Sequence, residues 1–316
     1  MRRASSLGAF ALLGSAVLIW GTGYWPTAIG AEHAANVTLA GLRTSGGGVT
    51  LVALAVLTRA RFPRGALLGW AVLTGVTMIA LSLWGTTEAV ARAGPGNAAI
   101  VINSAPLLVA ALGWIILRER LSPFALLGVL TGFGGVVLMV SSQLGGTVDT
   151  AQLLLGAGLA MAGAVGWATG TLMLRALAQR EGELDMLGFT AVQFAVAGTL
   201  LLSVGFAVEG AMATDWGAPA LWAVFAWIGP VNTLGVAMFF VALSRLAAAR
   251  ASAALFLVPA VAVIVEIARG NAPGPLVLLG MVLAVLGVAM VNAPPQQLVA
   301  AARRAVGPRL RRTPRG

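Results

Sequence analysis

The chain has no cysteine and no lysine, and it carries a single histidine, His33, and a single tyrosine, Tyr24. Without cysteine there is no disulfide framework, no thiolate metal site and no Cys–His nucleophile. One histidine cannot build a histidine-rich metal centre, and without lysine there is no Walker A motif with which to burn ATP. No G-x-S-x-G nucleophile elbow occurs either. These absences argue against an enzyme and leave no metal or cofactor to place. Charge is equally scarce: only 9% of the 316 residues are charged while 59% are apolar. A soluble domain clothes itself with about 25% charged residues, so most of this chain's surface must face lipid.

What is present is a series of apolar runs. A membrane helix needs ~20 such residues to cross ~30 Å of hydrocarbon. Ten runs qualify, near 7–27, 37–57, 66–88, 96–117, 122–140, 152–174, 186–208, 219–241, 250–268 and 274–292. Breakers separate them, among them Phe62-Pro63-Arg64, Gly94-Pro95-Gly96, Gly145-Gly146 and the stretch from Asn271 to Pro275. The first run continues past Trp20 with no small-residue cleavage site, so it reads as a retained helix and not a signal peptide.

Orientation follows from arginine, because cytoplasmic loops hold positive charge. With the N-terminus inside, seventeen arginines fall in inner segments, and only Arg92 and Arg269 fall outside. Arg43 lies within a span. Both ends are therefore expected in the cytoplasm. Six arginines in the last fourteen residues (Arg303, Arg304, Arg309, Arg311, Arg312, Arg315) make residues 293–316 a basic tail. Beside so many apolar spans its partner is anionic lipid and not nucleic acid.

The sequence also repeats itself. Trp20, Thr22 and Gly23 pair with Trp167, Thr169 and Gly170 at an offset of 147. Trp70 pairs with Trp222, Gly128 with Gly280 and Gly135 with Gly287 at 152, while Pro106 pairs with Pro259 at 153. Residues 1–145 and 146–292 thus form two five-helix repeats. Five is odd, so the second repeat enters the membrane from the opposite side. The expected fold is all-α, ten transmembrane helices in two inverted repeats, an architecture that suits alternating access around a midplane site. A channel would show a ring of like charges or a filter repeat, and neither is visible.

Several residues resemble a known family. The segment WGTGYWPTAIG, Arg43, and INSAPLLVAALGWIILRERLSPFALLGVLTGFGGVVLMV resemble the EamA-like branch of the drug/metabolite transporter superfamily over residues 8–292. The second half departs from the pattern: after Pro259 the family's Gly-Glu-x-Leu turn is replaced by VEIARGNAPGP, with Glu266 early. The resemblance implies a multi-pass protein of the bacterial inner membrane that exports small organic metabolites such as amino acids or drugs. A monomer and a dimer are both compatible with the sequence.

Candidate residues for the substrate path are those whose polarity or aromaticity is expensive in lipid. Trp20, Thr22, Tyr24 and Trp25 cluster late in the first span; Trp167 and Thr169 are their repeats, and Trp84 lies in the third span. Aromatic faces can stack on a substrate or sit in an interfacial belt. Arg43 costs at least ~2.5–3.5 kcal/mol on insertion scales unless it faces a cavity or snorkels to headgroups; its repeat partner is the neutral Gln193. Asn103, Gln193 and Asn232 are amides inside spans, able to bind substrate or a neighbouring helix. Pro106 and Pro259 mark helix breaks. Glu266 is the candidate coupling carboxylate, either a proton carrier or a partner of Arg269 three residues on. It sits near the outer face, which favours facilitated diffusion, with a proton-coupled antiporter as the alternative.

Topology is testable because the chain has no cysteine of its own. An impermeant maleimide added to intact cells should label Asp149→Cys and spare Arg61→Cys and Arg180→Cys. Labelling of position 61 or 180 from outside would contradict the orientation.

Overall fold

The computed structural model describes residues 2–116, 122–141, 149–181, 184–243 and 257–292, and within them every regular element is helical. The helices are α1 (Arg2–His33), α2 (Asn36–Leu57), α3 (Ala66–Thr74), α4 (Leu81–Ala93), α5 (Pro95–Ile102), α6 (Ala105–Ile116), α7 (Pro123–Ser141), α8 (Thr150–Glu181), α9 (Met186–Val208), α10 (Pro219–Ala226), α11 (Asn232–Leu243), α12 (Leu257–Ala268) and α13 (Pro275–Asn292). Seven spans among the described residues are long and apolar enough to cross a membrane, counting α3–α4, α5–α6 and α10–α11 as one each. The apolar helices α7 and α13 stand at the expected fifth and tenth spans, and α12 covers the described part of the ninth. Residues 250–256, the tail from 293, and Arg118, Glu119, Arg120, Arg245 and Arg250 lie outside the described residues.

Two helices outrun their expected ends. α1 continues through Pro26 to His33 and α8 runs on to Glu181. Proline removes one backbone donor, a loss that membrane helices tolerate where neighbours and hydroxyls re-satisfy the freed groups.

Small residues decide which helices touch. In lipid there is no hydrophobic drive to pack apolar helices, so close backbone approach and van der Waals contact take over. α2 and α9 make the most extensive contact. A Cβ on Gly41 would come within 2.6 Å of the Leu202 amide nitrogen, and one on Gly198 within 2.7 Å of that of Ser45. Only glycine allows this approach. Carboxylates clamp both ends of the pair. Glu209, just beyond α9, accepts from the Val37 and Thr38 amides at 2.9 Å each, capping the start of α2. At the other end Asp185 accepts from Leu187, Gly188 and Arg61 amides, capping α9 and holding the chain that leaves α2. Orphan donors at a helix start need such acceptors.

Several other contacts come in pairs at the repeat's spacing. α4 packs on α8 as α11 packs on α1, α6 meets α8 as α12 meets α1, and α7 pairs with its own counterpart α13. Two single-turn π segments obey it as well: Gly75–Ala80 joins α3 to α4, and Trp227–Val231 joins α10 to α11. Their starts lie 152 residues apart, the offset that relates Trp70 to Trp222. In the second, Pro230 cannot donate to the ladder, which favours the wider turn. The first contains no proline.

The α7–α13 contact gives a paired test. Gly135 faces the Gly280 carbonyl, and an added Cβ would lie 2.7 Å from the Ala284 nitrogen; its neighbour Gly134 has open space. Gly135→Ala should lower stability by about 1–3 kcal/mol through overpacking. Gly134→Ala should be neutral or slightly stabilising. Thermal unfolding of the two variants in detergent, compared with the native chain, reads the difference.

Candidate functional site

A cavity opens between the two halves, with about 170 Å³ available to the centres of water molecules. One water needs ~10–15 Å³ by that measure, so the space suits a small organic molecule. Both π segments border it, through Ile79 and Ile228, and so does the break between α5 and α6. Irregular backbone inside a membrane protein is tolerated where protein or a cavity surrounds it, and this is such a place.

The wall is built from helical faces. On α1, Trp20, Tyr24 and Thr27 fall at i, i+4 and i+7 and line the cavity together with Gly23. The Trp20 indole donates to the Asn232 backbone carbonyl at 3.0 Å, and its ring lies 5.8 Å from Phe239. Gly23 leaves room for the Asn232 amide, since a Cβ there would sit 2.7 Å from Nδ2. At the α5–α6 break Asn103 turns inward and donates to the Tyr24 hydroxyl at 2.8 Å and to the Ala99 carbonyl at 2.6 Å. α6 begins at Ala105, directly before Pro106. Trp167 from α8 and Phe194 from α9 complete an aromatic lining.

Arg43, from α2, supplies the wall's one charge among the described residues. It is 6% exposed, and its buried Nη1 has no hydrogen-bond partner. Its repeat counterpart Gln193 is buried too but satisfied, donating to the Thr74 hydroxyl at 2.8 Å. Thr74 immediately precedes the first π segment, and Ala226 immediately precedes the second. Thr74 is buried whereas Ala226 is exposed, and no hydroxyl serves the Arg43 Nη1.

Of the residues singled out from sequence, Trp20, Tyr24, Arg43, Asn103, Trp167 and Asn232 meet at the cavity. The other candidates whose side chains are described do not line it. Thr22 and Thr169 bond back to the Leu18 and Val165 carbonyls of their own helices. Trp25 lies under the Arg269 guanidinium, 3.9 Å from Cζ to the ring centroid, tying α1 to the end of α12. Trp84 donates to Glu88 at 3.3 Å. The same carboxylate accepts from Arg92 at 2.9 Å and from Asn36 at 3.1 Å, and Arg92 also reaches Gln152, so this network joins α2, α4 and α8. Glu266 accepts from Asn271 at 3.2 Å and stands away from the wall. Pro259 lies within α12.

Sequence reasoning missed Thr27, Ser82, Thr86, Thr233, Phe194 and three isoleucines on the wall, Ile79, Ile102 and Ile228. Helical spacing held part of the signal: Thr27 shares a face with Trp20 and Tyr24, and Ser82 with Thr86, whereas Thr22 and Trp25 fall off it. Phe194 and the isoleucines look like any lipid-facing residue in sequence.

The profile of the EamA-like transporter family matches this chain twice, over residues 6–141 and 154–293. Uncharacterized transporter YvbV of Bacillus subtilis (strain 168) is 26% identical over 287 residues, covering 89% of this chain and 90% of that protein. Uncharacterized transporter YyaM of the same organism is 28% identical over 197 residues, covering 61% and 63%. A solved crystal structure of 19% identity shares the fold at a TM-score of 0.63, covering 96% of this chain and 99% of that one.

The difference between the halves can be measured by a double-mutant cycle. Thr74→Val leaves the Gln193 amide without its partner and should cost about 1–3 kcal/mol. Gln193→Leu placed in that background should recover much of the loss. Additive losses from the two changes would mean that the pair is not coupled.

Proposed function

We propose, on the premise that this chain belongs to the EamA-like transporter family, that it exports small organic metabolites across the bacterial inner membrane by alternating access. The observation that carries this reading is the cavity itself, which lies between two halves whose helix pairings and π segments repeat. Two separate family matches, 6–141 and 154–293, support reading the chain as two repeats. Five helices per half would invert the second half relative to the first, with both termini in the cytoplasm. A pseudo-symmetric pair of this kind can expose one site to either side by rocking one bundle against the other.

Mixed lining fits an amphipathic cargo. Trp20, Trp167 and Phe194 offer apolar faces, while Asn103, Asn232 and Thr233 offer polar groups that fix orientation. Energy coupling is read from what the cavity lacks. Proton exchange at the site wants a carboxylate in contact with it, and no Asp or Glu lines this wall among the described residues. Glu88 is engaged by three donors and Glu266 stands apart. Transport therefore follows existing gradients without obligatory proton exchange.

The test is transport in proteoliposomes, with and without an imposed pH gradient, for compounds found in an efflux screen of cells overproducing the protein. Native chain and Glu266→Gln should carry substrate equally in both conditions, and only downhill. Accumulation driven by the pH gradient and lost in Glu266→Gln would establish the proton-coupled antiporter instead.

A further inference from the structure

Arg43 is the feature that this account leaves unexplained. Its guanidinium lines the cavity, 6% exposed, and its buried Nη1 has no hydrogen-bond partner. The ion pair found among the described residues joins Arg92 to Glu88. A guanidinium is always charged and carries five donors in a planar fork matched to carboxylate and phosphate oxygens. Buried charges in proteins are paired or hydrogen-bonded, and in a membrane an unpaired one marks a pathway.

A structural role for Arg43 should look like that of Gln193. The two occupy matching positions on α2 and α9, each with backbone atoms against a π segment: Gly75 beside Gln193, and Gly229 3.4 Å from the Arg43 carbonyl oxygen by the same Cβ measure. Gln193 is anchored by Thr74. Arg43 lacks such an anchor at Nη1, a buried donor without a partner on a side chain that lines the cavity. Among the described residues the wall has no acidic side chain with which to receive an ammonium group.

We infer that the cargo is an organic monoanion whose carboxylate pairs with Arg43 while its apolar body lies against Trp20, Trp167 and Phe194. This rests on the transport reading and narrows it: cations are repelled, and zwitterions find a partner for only one of their two charges. Neutral analogues forfeit the charge-assisted hydrogen bonds.

A matched probe series tests this with the full chain in phosphatidylcholine nanodiscs. Binding of phenylacetate, phenylacetamide, phenethylamine and phenylalanine is measured by equilibrium dialysis and by thermal shift. Phenylacetate should bind roughly tenfold to a hundredfold more tightly than the amide, the range expected of hydrogen bonds to a charged group. Arg43→Gln should erase that preference and Arg43→Lys should retain part of it. Should Arg43→Gln fail to fold, the charge preference of the native protein decides alone. Equal or tighter binding of the amide or amine, no binding of phenylacetate, or a preference that survives Arg43→Gln overturns the inference. So does loss of phenylacetate binding on adding phosphatidylglycerol, which would assign Arg43 to a lipid headgroup. The transport reading fails separately. A cation carried by the native chain and blocked by Trp20→Ala removes the anion but leaves the transporter, whereas phenylacetate bound but never carried leaves the anion site and removes the transporter.

Discussion

In hydrocarbon an unpaired backbone amide or carbonyl costs several kcal/mol, because no water is there to replace the lost partner. That single cost organises the chain. It makes the described structure helical and forces interruptions to collect where protein surrounds them. Here they are two π segments and the break at Asn103–Ser104, all at the cavity. Nearby side chains take up local polar groups: the Ser104 hydroxyl bonds the Val101 carbonyl at 2.7 Å, and the Trp20 indole bonds that of Asn232. A cavity wall made this way has polar atoms within reach of a substrate, whereas an unbroken helix would offer only side chains.

Near-symmetry makes the differences between halves informative. Both α2 and α9 carry a large polar side chain at the matching position, buried in each case. With Thr74 the amide of Gln193 becomes helix glue, worth ~0.6 kcal/mol on average for such bonds in membranes. The Nη1 of Arg43 has no such partner. A charge left this way at cavity depth is held at a cost by the surrounding fold, and the cost is recovered when an anion arrives. A satisfied amide in one half and an unpartnered Nη1 in the other separate a structural contact from a candidate site.

The sequence carried the class of fold well because hydrophobic runs and breakers are local signals. The repeat was equally legible in Trp20 and Trp167, which both reach the cavity. What the sequence could not resolve was the direction of each side chain. A helix that is apolar all round has no polar face from which to read its rotation, so Phe194, Ile79 and Ile228 were invisible. Trp84 and Gln193 were plausible wall residues until their partners appeared, Glu88 at four residues' distance and Thr74 on another span. Partnership between spans is a tertiary fact. Only α1, with Trp20, Tyr24 and Thr27 on one stripe, offered a periodicity that would have set Thr22 and Trp25 aside.

An anionic cargo also bears on how export is driven. Bacterial cells are negative inside, and moving one charge through a membrane potential is worth about 2.3 kcal/mol per 100 mV. A monoanion leaving such a cell without a counter-ion gains that energy directly, equivalent to roughly a fiftyfold gradient at 100 mV. On that proposal, a wall with one fixed cation and no acidic side chain among the described residues would need no proton to run outward. The same arrangement disfavours uptake, since an entering anion must climb the potential that an exiting one descends. On the proposal of an anionic cargo, its charge and the direction favoured by the membrane potential both trace to Arg43 and its unpartnered Nη1.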